Sequence, residues 1–157
     1  MHIILRDQER GSRVTLATCA DLKSKQWLLR EISDEDDAWT IFDKMIRADA
    51  IVYATPLYCW SFTSQMKPLI DRHFCLVSDD GTPDHNSLIS GKSAALLVSC
   101  AGPVEGNCDA IQHIFAGFTD YLKLTWKGNF ILPFCSTPDA VGDEGSELAA
   151  NLARAIT

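Results

Sequence analysis

Long apolar runs are absent from this sequence of 157 residues. No stretch approaches the roughly 20 apolar residues that a helix needs to span a bilayer. The opening segment, MHIILRDQERGSR, carries charges where a signal peptide would have an apolar core. We therefore expect a cytoplasmic protein without a membrane partner.

An excess of basic residues is also absent. The chain has 14 Lys and Arg residues and 21 Asp and Glu residues, which gives a net charge of −7. A nucleic-acid-binding protein needs a basic surface that displaces counterions from phosphates. The composition predicts no nucleic-acid partner. It does allow a phosphorylated small ligand, which backbone N–H groups at a helix start can hold.

Closely spaced cysteines are lacking too, although the chain has six of them. Their scatter is typical of buried thiols rather than of a disulfide framework. Cys100 and Cys108 flank a loop and can meet in space, but a cytoplasmic disulfide is not expected. A metal site needs three or four convergent ligands, and the sequence predicts none. His113, in an apolar helical segment, is expected to be a structural histidine.

The sequence does contain an alternation of apolar runs with amphipathic segments. Strands are predicted at 13–19, 50–54, 93–100 and 129–134, and helices at 33–49, 64–77, 107–124 and 143–156. Uninterrupted apolar strands separated by helices indicate a parallel sheet covered on both faces. We therefore predict one doubly wound α/β domain over residues 1–157. Ligands of such sheets bind at the carboxyl ends of the strands.

The loop after the strand at 50–54 reads TPLYCWSFTSQMK. Pro56 turns the chain off the strand end. Tyr58 and Trp60 then offer flat surfaces on which a planar ligand can stack, and Ser61 begins a run of hydroxyl residues near a helix start. On residue types alone, a ligand-binding rim and a loop that tucks its aromatics into the core are equally good interpretations.

The segment 48–72 resembles the second flavin loop of the NADPH-dependent FMN reductase and iron–sulfur flavoprotein family. The family pattern is A-D-x-I-V-x-x-[ST]-P-x-Y-x-x-S-x-x-x-x-x-K-x-x-I-D-R. It is matched by Ala48-Asp49, Ile51-Val52, Thr55-Pro56, Tyr58, Ser61, Lys67, Ile70 and Asp71-Arg72. Downstream, GKSAALLVSCAGPVEGN (91–107) resembles the fourth strand and third loop of the family. The resemblance implies a flavodoxin-like fold with three α/β/α layers.

The same resemblance implies an FMN-dependent oxidoreductase. Such an enzyme takes hydride from NADPH or NADH and passes electrons to a flavin, a quinone or a similar small acceptor. Both loops are then expected to bind the flavin, through Thr55, Pro56, Leu57, Tyr58, Cys59, Trp60, Ser61, Cys100, Ala101, Gly102 and Asn107. No side chain is expected to act as an acid or base, because the flavin carries the chemistry. Family resemblance also implies a homodimer or tetramer.

Two features of the family have no counterpart in this sequence. Iron–sulfur members carry a compact cysteine cluster after the second strand, where this chain has Cys19 alone. A cluster needs about four thiolates, so no iron–sulfur centre is predicted. The first strand and the Ser/Thr/Gly-rich loop that cradles the FMN phosphate are also missing. We interpret MHIILRDQERGSRVTLATCADL as the end of the first helix, a turn at Gly11 and the second strand.

An alternative interpretation makes HIIL a very short first strand that forms a hairpin with RVTLATC. In either case a central strand is missing or replaced, because the first strand of a flavodoxin-like sheet lies between the second and third. The chain must close this gap, borrow a strand from another subunit, or be incomplete at its N-terminus. The alternative function that follows is a truncated domain that no longer binds FMN and acts as an interaction module or an inactive fragment.

Overall fold

A computed structural model describes residues 2–7, 13–18, 37–78 and 85–157. Its main sheet has five strands in the order β2–β1–β3–β6–β7. These strands are β1 (His2–Asp7), β2 (Arg13–Thr18), β3 (Ala50–Pro56), β6 (Ser93–Ser99) and β7 (Thr125–Leu132). A separate two-stranded sheet pairs β4 (Val77–Ser78) with β5 (Asn86–Ser87). The described helices are α1 (Asp37–Arg47), α2 (Lys67–Arg72), α3 (Asp109–Tyr121) and α4 (Gly142–Ile156).

The centre of the sheet is parallel and is buried on both faces, as the apolar strands predict. Strands β3 and β6 pair in parallel from Ala50 opposite Ser93 to Pro56 opposite Ser99, and β7 pairs in parallel with β6. Tyr53 packs into the larger core with residues of α1, α2 and α3. Its neighbour Val52 faces the other way and packs with Leu152 of α4. The predicted α/β fold with a parallel sheet covered on both faces is therefore confirmed.

The N-terminal segment is a strand, so the interpretation of it as the end of a helix is wrong. Strand β1 lies between β2 and β3 and pairs antiparallel with both. The link from Asp7 to Arg13 is far shorter than the dozen or more residues that a parallel crossover needs, so only an antiparallel hairpin can form. This strand occupies the gap in the sheet, and its two ladders supply hydrogen-bond partners for both neighbouring strands.

The helices bury the apolar face that their amphipathic pattern predicts, except at two positions of α1. In α1, Ile41, Phe42 and Met45 are buried, whereas Trp39 and Ile46 lie partly in solvent. The first part of the predicted helix, residues 33–36, falls outside the described residues. The proline at 68 lies in the first turn of α2, where its missing N–H costs no hydrogen bond. Within the described ranges, no helix has the length and apolar character to cross a membrane.

Candidate functional site

Three loops and one helix surround a cleft at the carboxyl edge of the parallel strands. The loops follow β3, β6 and β7, and the helix is α4. The cleft has a volume of about 680 Å³. It is lined by Ala54, Thr55, Pro56, Leu57, Tyr58, Leu97, Val98, Ser99, Cys100, Ala101, Leu132, Cys135, Ser136, Thr137, Pro138, Val141, Gly145, Leu148 and Ala149. This is the edge at which parallel α/β sheets bind their ligands.

The loop after β3 is anchored to the neighbouring strand and then turns back on itself. The Leu57 N–H donates to the Ser99 carbonyl at 2.8 Å, which extends the pairing of β3 with β6. Tyr58 and Ser61 then exchange two backbone hydrogen bonds of 3.3 and 3.1 Å. This tight hairpin turn presents Tyr58 and Trp60 to solvent, each about 61% exposed. The aromatics therefore form a rim and are not tucked into the core.

The turn holds two residues in an unfavourable backbone conformation. Cys59 and Trp60 have φ angles of 48° and 62°, in the left-handed region. Two-residue hairpin turns of this kind favour Asn-Gly, because both central residues need a positive φ. A bulky residue in this region costs on the order of 1–2 kcal/mol. Such strain is typical of functional loops.

Replacing Trp60 isolates this backbone strain. Trp60→Gly and Trp60→Ala both remove the indole ring, but only glycine adopts a positive φ without a steric penalty. We expect Trp60→Gly to have a free energy of unfolding about 1 kcal/mol higher than Trp60→Ala. Urea unfolding of the two variants measures this difference. Equal stabilities would show that the turn at Trp60 is not strained.

The loops after β6 and β7 form the opposite side of the cleft and are hydrogen-bonded to each other. The Cys135 N–H donates to the Cys100 carbonyl at 2.8 Å, and the Phe134 N–H donates to the Gly102 carbonyl at 3.3 Å. A Cβ atom at Gly102 would lie 3.2 Å from the side-chain amide nitrogen of Asn107, Nδ2, so this close approach favours glycine. Phe134 has a φ of 55° and is 67% exposed, a second strained aromatic at this edge of the sheet.

The structure brings together six of the eleven sequence-predicted site residues. The residues that line the cleft are Thr55, Pro56, Leu57, Tyr58, Cys100 and Ala101. The other five, Cys59, Trp60, Ser61, Gly102 and Asn107, do not line it but belong to the turns that shape its walls.

Sequence reasoning missed the wall formed by the end of β7 and the start of α4. Leu132 ends β7, Ser136 and Thr137 come from the loop after it, and Gly145 and Ala149 come from α4. A usable signal was available, because NFILPF was predicted to be a strand of the same sheet and its carboxyl end must lie at the same edge.

The chemistry of the lining favours a flat, uncharged ligand. Most of the surface is apolar, and its polar side chains are the hydroxyls of Thr55, Tyr58, Ser99, Ser136 and Thr137, together with two thiols. The described lining contains no Asp, Glu, Lys, Arg or His. Two carboxylates, Asp143 and Glu144, lie in the first turn of α4 between lining residues. The neutral hydroxyl groups of the lining can supply the hydrogen bonds that the polar edges of a planar ring need.

Comparison with known protein families shows to which family the chain belongs. The sequence profile of the NADPH-dependent FMN reductase family matches residues 4–151. The chain belongs to this family. Its function is accordingly FMN-dependent oxidoreduction with NAD(P)H as the electron donor, and the predicted flavin cofactor is confirmed at the level of the family.

Solved structures share the fold at low sequence identity. The Trp repressor binding protein of Bacillus subtilis has 19% identity and a TM-score of 0.63, with 77% of this chain and 76% of that chain covered. An NADPH-quinone reductase from P. pentosaceus has 17% identity and a TM-score of 0.56, covering 79% and 77%.

A third structure with this fold contains flavin. An FMN-dependent NADH-azoreductase from Bacillus anthracis, solved with FMN, has 12% identity and a TM-score of 0.58, covering 81% of this chain and 68% of that chain. A comparison with curated protein sequences finds no match.

Proposed function

We propose that the cleft at the ends of β3, β6 and β7 binds the ring system of FMN, and that NAD(P)H and a planar organic acceptor react there in turn. The convergence of three carboxyl-end loops on one uncharged cleft of about 680 Å³ supports this assignment. Pockets of roughly 300–1,000 Å³ are typical of cofactor sites.

The protein's own residues have binding and positioning roles in this proposal. Leu57, Cys100 and Leu132 provide apolar contacts, and Tyr58 provides an aromatic wall. The buried Thr55 hydroxyl donates to the Pro56 carbonyl at 2.9 Å, which fixes the start of the loop. Bound flavin supplies the hydride and electron transfer. The chain contributes orientation and exclusion of water, and no side chain is assigned as an acid or base.

The residues present fit the two ends of FMN unequally. The ring is matched by the apolar floor and the aromatic rim. The described groups that would hold the phosphate are the hydroxyls of Ser136 and Thr137 and the first backbone amides of α4. Asp143 and Glu144 oppose a phosphate there by charge repulsion. The carboxyl end of β1 lies at the other edge of the sheet, since Asp7 pairs with Arg13 while His2 pairs with Ala54.

The test is a titration of the purified protein with FMN and, separately, with riboflavin. We expect saturable binding of FMN at micromolar concentration, followed by reduction of the bound flavin when NADPH or NADH is added. A shift in the visible flavin bands and quenching of flavin fluorescence both report binding. A protein that ignores both flavins would overturn the proposal and favour the interaction-module alternative.

The proposal also covers assembly and compartment. We propose a homodimer or tetramer in the cytoplasm. Phe74 and Tyr121 stack with their ring centroids 6.4 Å apart and are both exposed, so this surface offers apolar area for a second copy. Sedimentation velocity tests the assembly, and a monomer at all concentrations would contradict it.

A further inference from the structure

Two buried thiols are in contact beside the cleft. The Cys108 thiol donates a hydrogen bond to the Cys100 sulfur, with the sulfur atoms 3.5 Å apart. Cys100 is 2% exposed and Cys108 is fully buried. A disulfide has a sulfur–sulfur distance of about 2.05 Å, so an approach of about 1.5 Å would join them. The sequence allowed these two loop-flanking residues to meet, and the structure brings their sulfur atoms together.

The two cysteines bracket a loop that borders the cleft. Cys100 directly follows β6 and lines the cleft, whereas Cys108 directly precedes α3. The loop between them contains Ala101, another lining residue, and Gly106, whose φ of 72° is a conformation that glycine adopts readily. A bond between the two sulfurs would therefore tie together both ends of a cleft-bordering segment.

The two sulfurs differ in their surroundings. Burial raises the pKa of the Cys108 thiol to about 12, and its hydrogen bond to Cys100 adds to this effect. Cys108 therefore stays protonated at neutral pH and is shielded from direct attack. Cys100 belongs to the wall of the cleft and Cys108 does not, so a small reagent entering the cleft comes nearer to Cys100 than to Cys108.

We propose that Cys100 and Cys108 are a redox-active dithiol, which a small hydroperoxide entering the cleft oxidises to an internal disulfide. The Cys100 sulfur attacks the peroxide, the O–O bond breaks, and Cys100 becomes a sulfenic acid while one alcohol or water leaves. The Cys108 sulfur then attacks the Cys100 sulfur, its proton passes to the departing hydroxyl, which leaves as water, and the S–S bond forms. Both thiol hydrogens end on oxygen, two electrons pass to the peroxide, and a dithiol reductant reverses the reaction.

Oxidation is expected to weaken ligand binding at the cleft. In the reduced form the Cys100 thiol donates to the Gly102 carbonyl at 3.3 Å and so fixes the turn next to Ala101. The disulfide has no hydrogen to donate, and the Cys100 sulfur must shift toward Cys108. We expect the affinity for FMN to fall by up to about fivefold, because a thiol is a weak donor and an ordinary hydrogen bond sets the upper limit. This consequence, unlike the disulfide itself, rests on the proposed function.

Trypsin provides a direct readout of the disulfide. Cleavage after Lys92 and Lys123 releases a single peptide, 93–123, which contains Cys100 and Cys108 and no other cysteine. The intact protein is treated with hydrogen peroxide, alkylated with iodoacetamide under denaturing conditions and digested. We expect the peptide to be about 2 Da lighter than the dithiol form and to carry no alkyl group. Dithiothreitol treatment before alkylation should restore two alkylation sites.

Matched variants separate this pair from the other thiol at the cleft. Cys135→Ser, which alters the second lining cysteine, should still give the lighter peptide. Cys108→Ala should not give it, and its FMN affinity should no longer respond to peroxide. If the wild-type peptide stays fully alkylated, or is oxidised to sulfinic acid, the dithiol proposal is wrong whether or not flavin binds. If the disulfide forms but no flavin binds, only the proposed function fails.

Discussion

The protein is expected to lose about 3 kcal/mol of unfolding free energy between pH 6.5 and pH 4 through His73 alone. His73 lies in the core, 2% exposed, between the aromatic rings of Phe42, Tyr53 and Phe118. Burial lowers the pKa of its imidazole from the ordinary 6.5 to about 4. The hydrogen bond to the Leu69 carbonyl opposes this shift but does not cancel it.

The hydrogen bonds of His73 define a neutral tautomer. Nδ1 lies 2.7 Å from the Leu69 carbonyl oxygen, which can only accept, so Nδ1 carries the hydrogen. Nε2 then accepts a hydrogen bond of 3.0 Å from the Tyr53 hydroxyl. The imidazole is thus fully satisfied without a positive charge, and a second proton would have to displace the tyrosine hydrogen.

The direction of the pH dependence follows from the proton counts. Below pH 6.5 the unfolded chain protonates His73 while the folded chain does not until about pH 4. The unfolded state therefore binds more protons in this window, so stability falls as the pH falls. Well above pH 6.5 both states are neutral, and the contribution of His73 no longer changes.

Urea unfolding at pH 6.5 and pH 4 measures the loss, and a double variant separates it from the titration of carboxylates. Tyr53→Phe with His73→Leu replaces both partners by apolar groups, which leaves neither one unsatisfied. We expect the wild type to lose about 3 kcal/mol more than this variant across the window. Equal losses in the two proteins would contradict the assignment to His73.

Filling the cleft from α4 should strongly weaken flavin binding. Ala149 lines the cleft and its neighbour Ala150 does not, although both are exposed on the same helix. A tryptophan at Ala149 occupies space that the proposed ring needs, whereas at Ala150 it lies outside the cleft. We expect Ala149→Trp to weaken FMN binding at least about a hundredfold, on the order of 3 kcal/mol.

Ala150→Trp is the matched control, because it adds the same side chain to the same exposed helix. Its FMN affinity should stay within about twofold of the wild type, and its circular dichroism spectrum should match that of Ala149→Trp. The same flavin fluorescence titration applies to all three proteins. Equal affinities for Ala149→Trp and Ala150→Trp would place the flavin away from this cleft.

The sequence alone determined the fold class and one part of the candidate site. The apolar runs of β3 and β6 have no polar face, and such strands are stable only when helices cover both sides of the sheet. This fixes a parallel sheet, and therefore the edge at which ligands bind. Tyr58 and Cys100 could be nominated because they follow those two strands, although their flavin-binding role stays a prediction.

The tertiary structure decided what depends on contacts between distant segments. The direction of β1 is set by the short link to β2 and by pairing with β3, neither of which appears in the composition of HIIL. His73 is buried, whereas His113 is exposed. The prediction of a structural histidine at 113 is therefore wrong. Helix periodicity predicts on which face of a helix a side chain lies, but not which neighbours cover that face. The contact of Cys100 with Cys108 depends on the path of a loop, which periodicity does not describe.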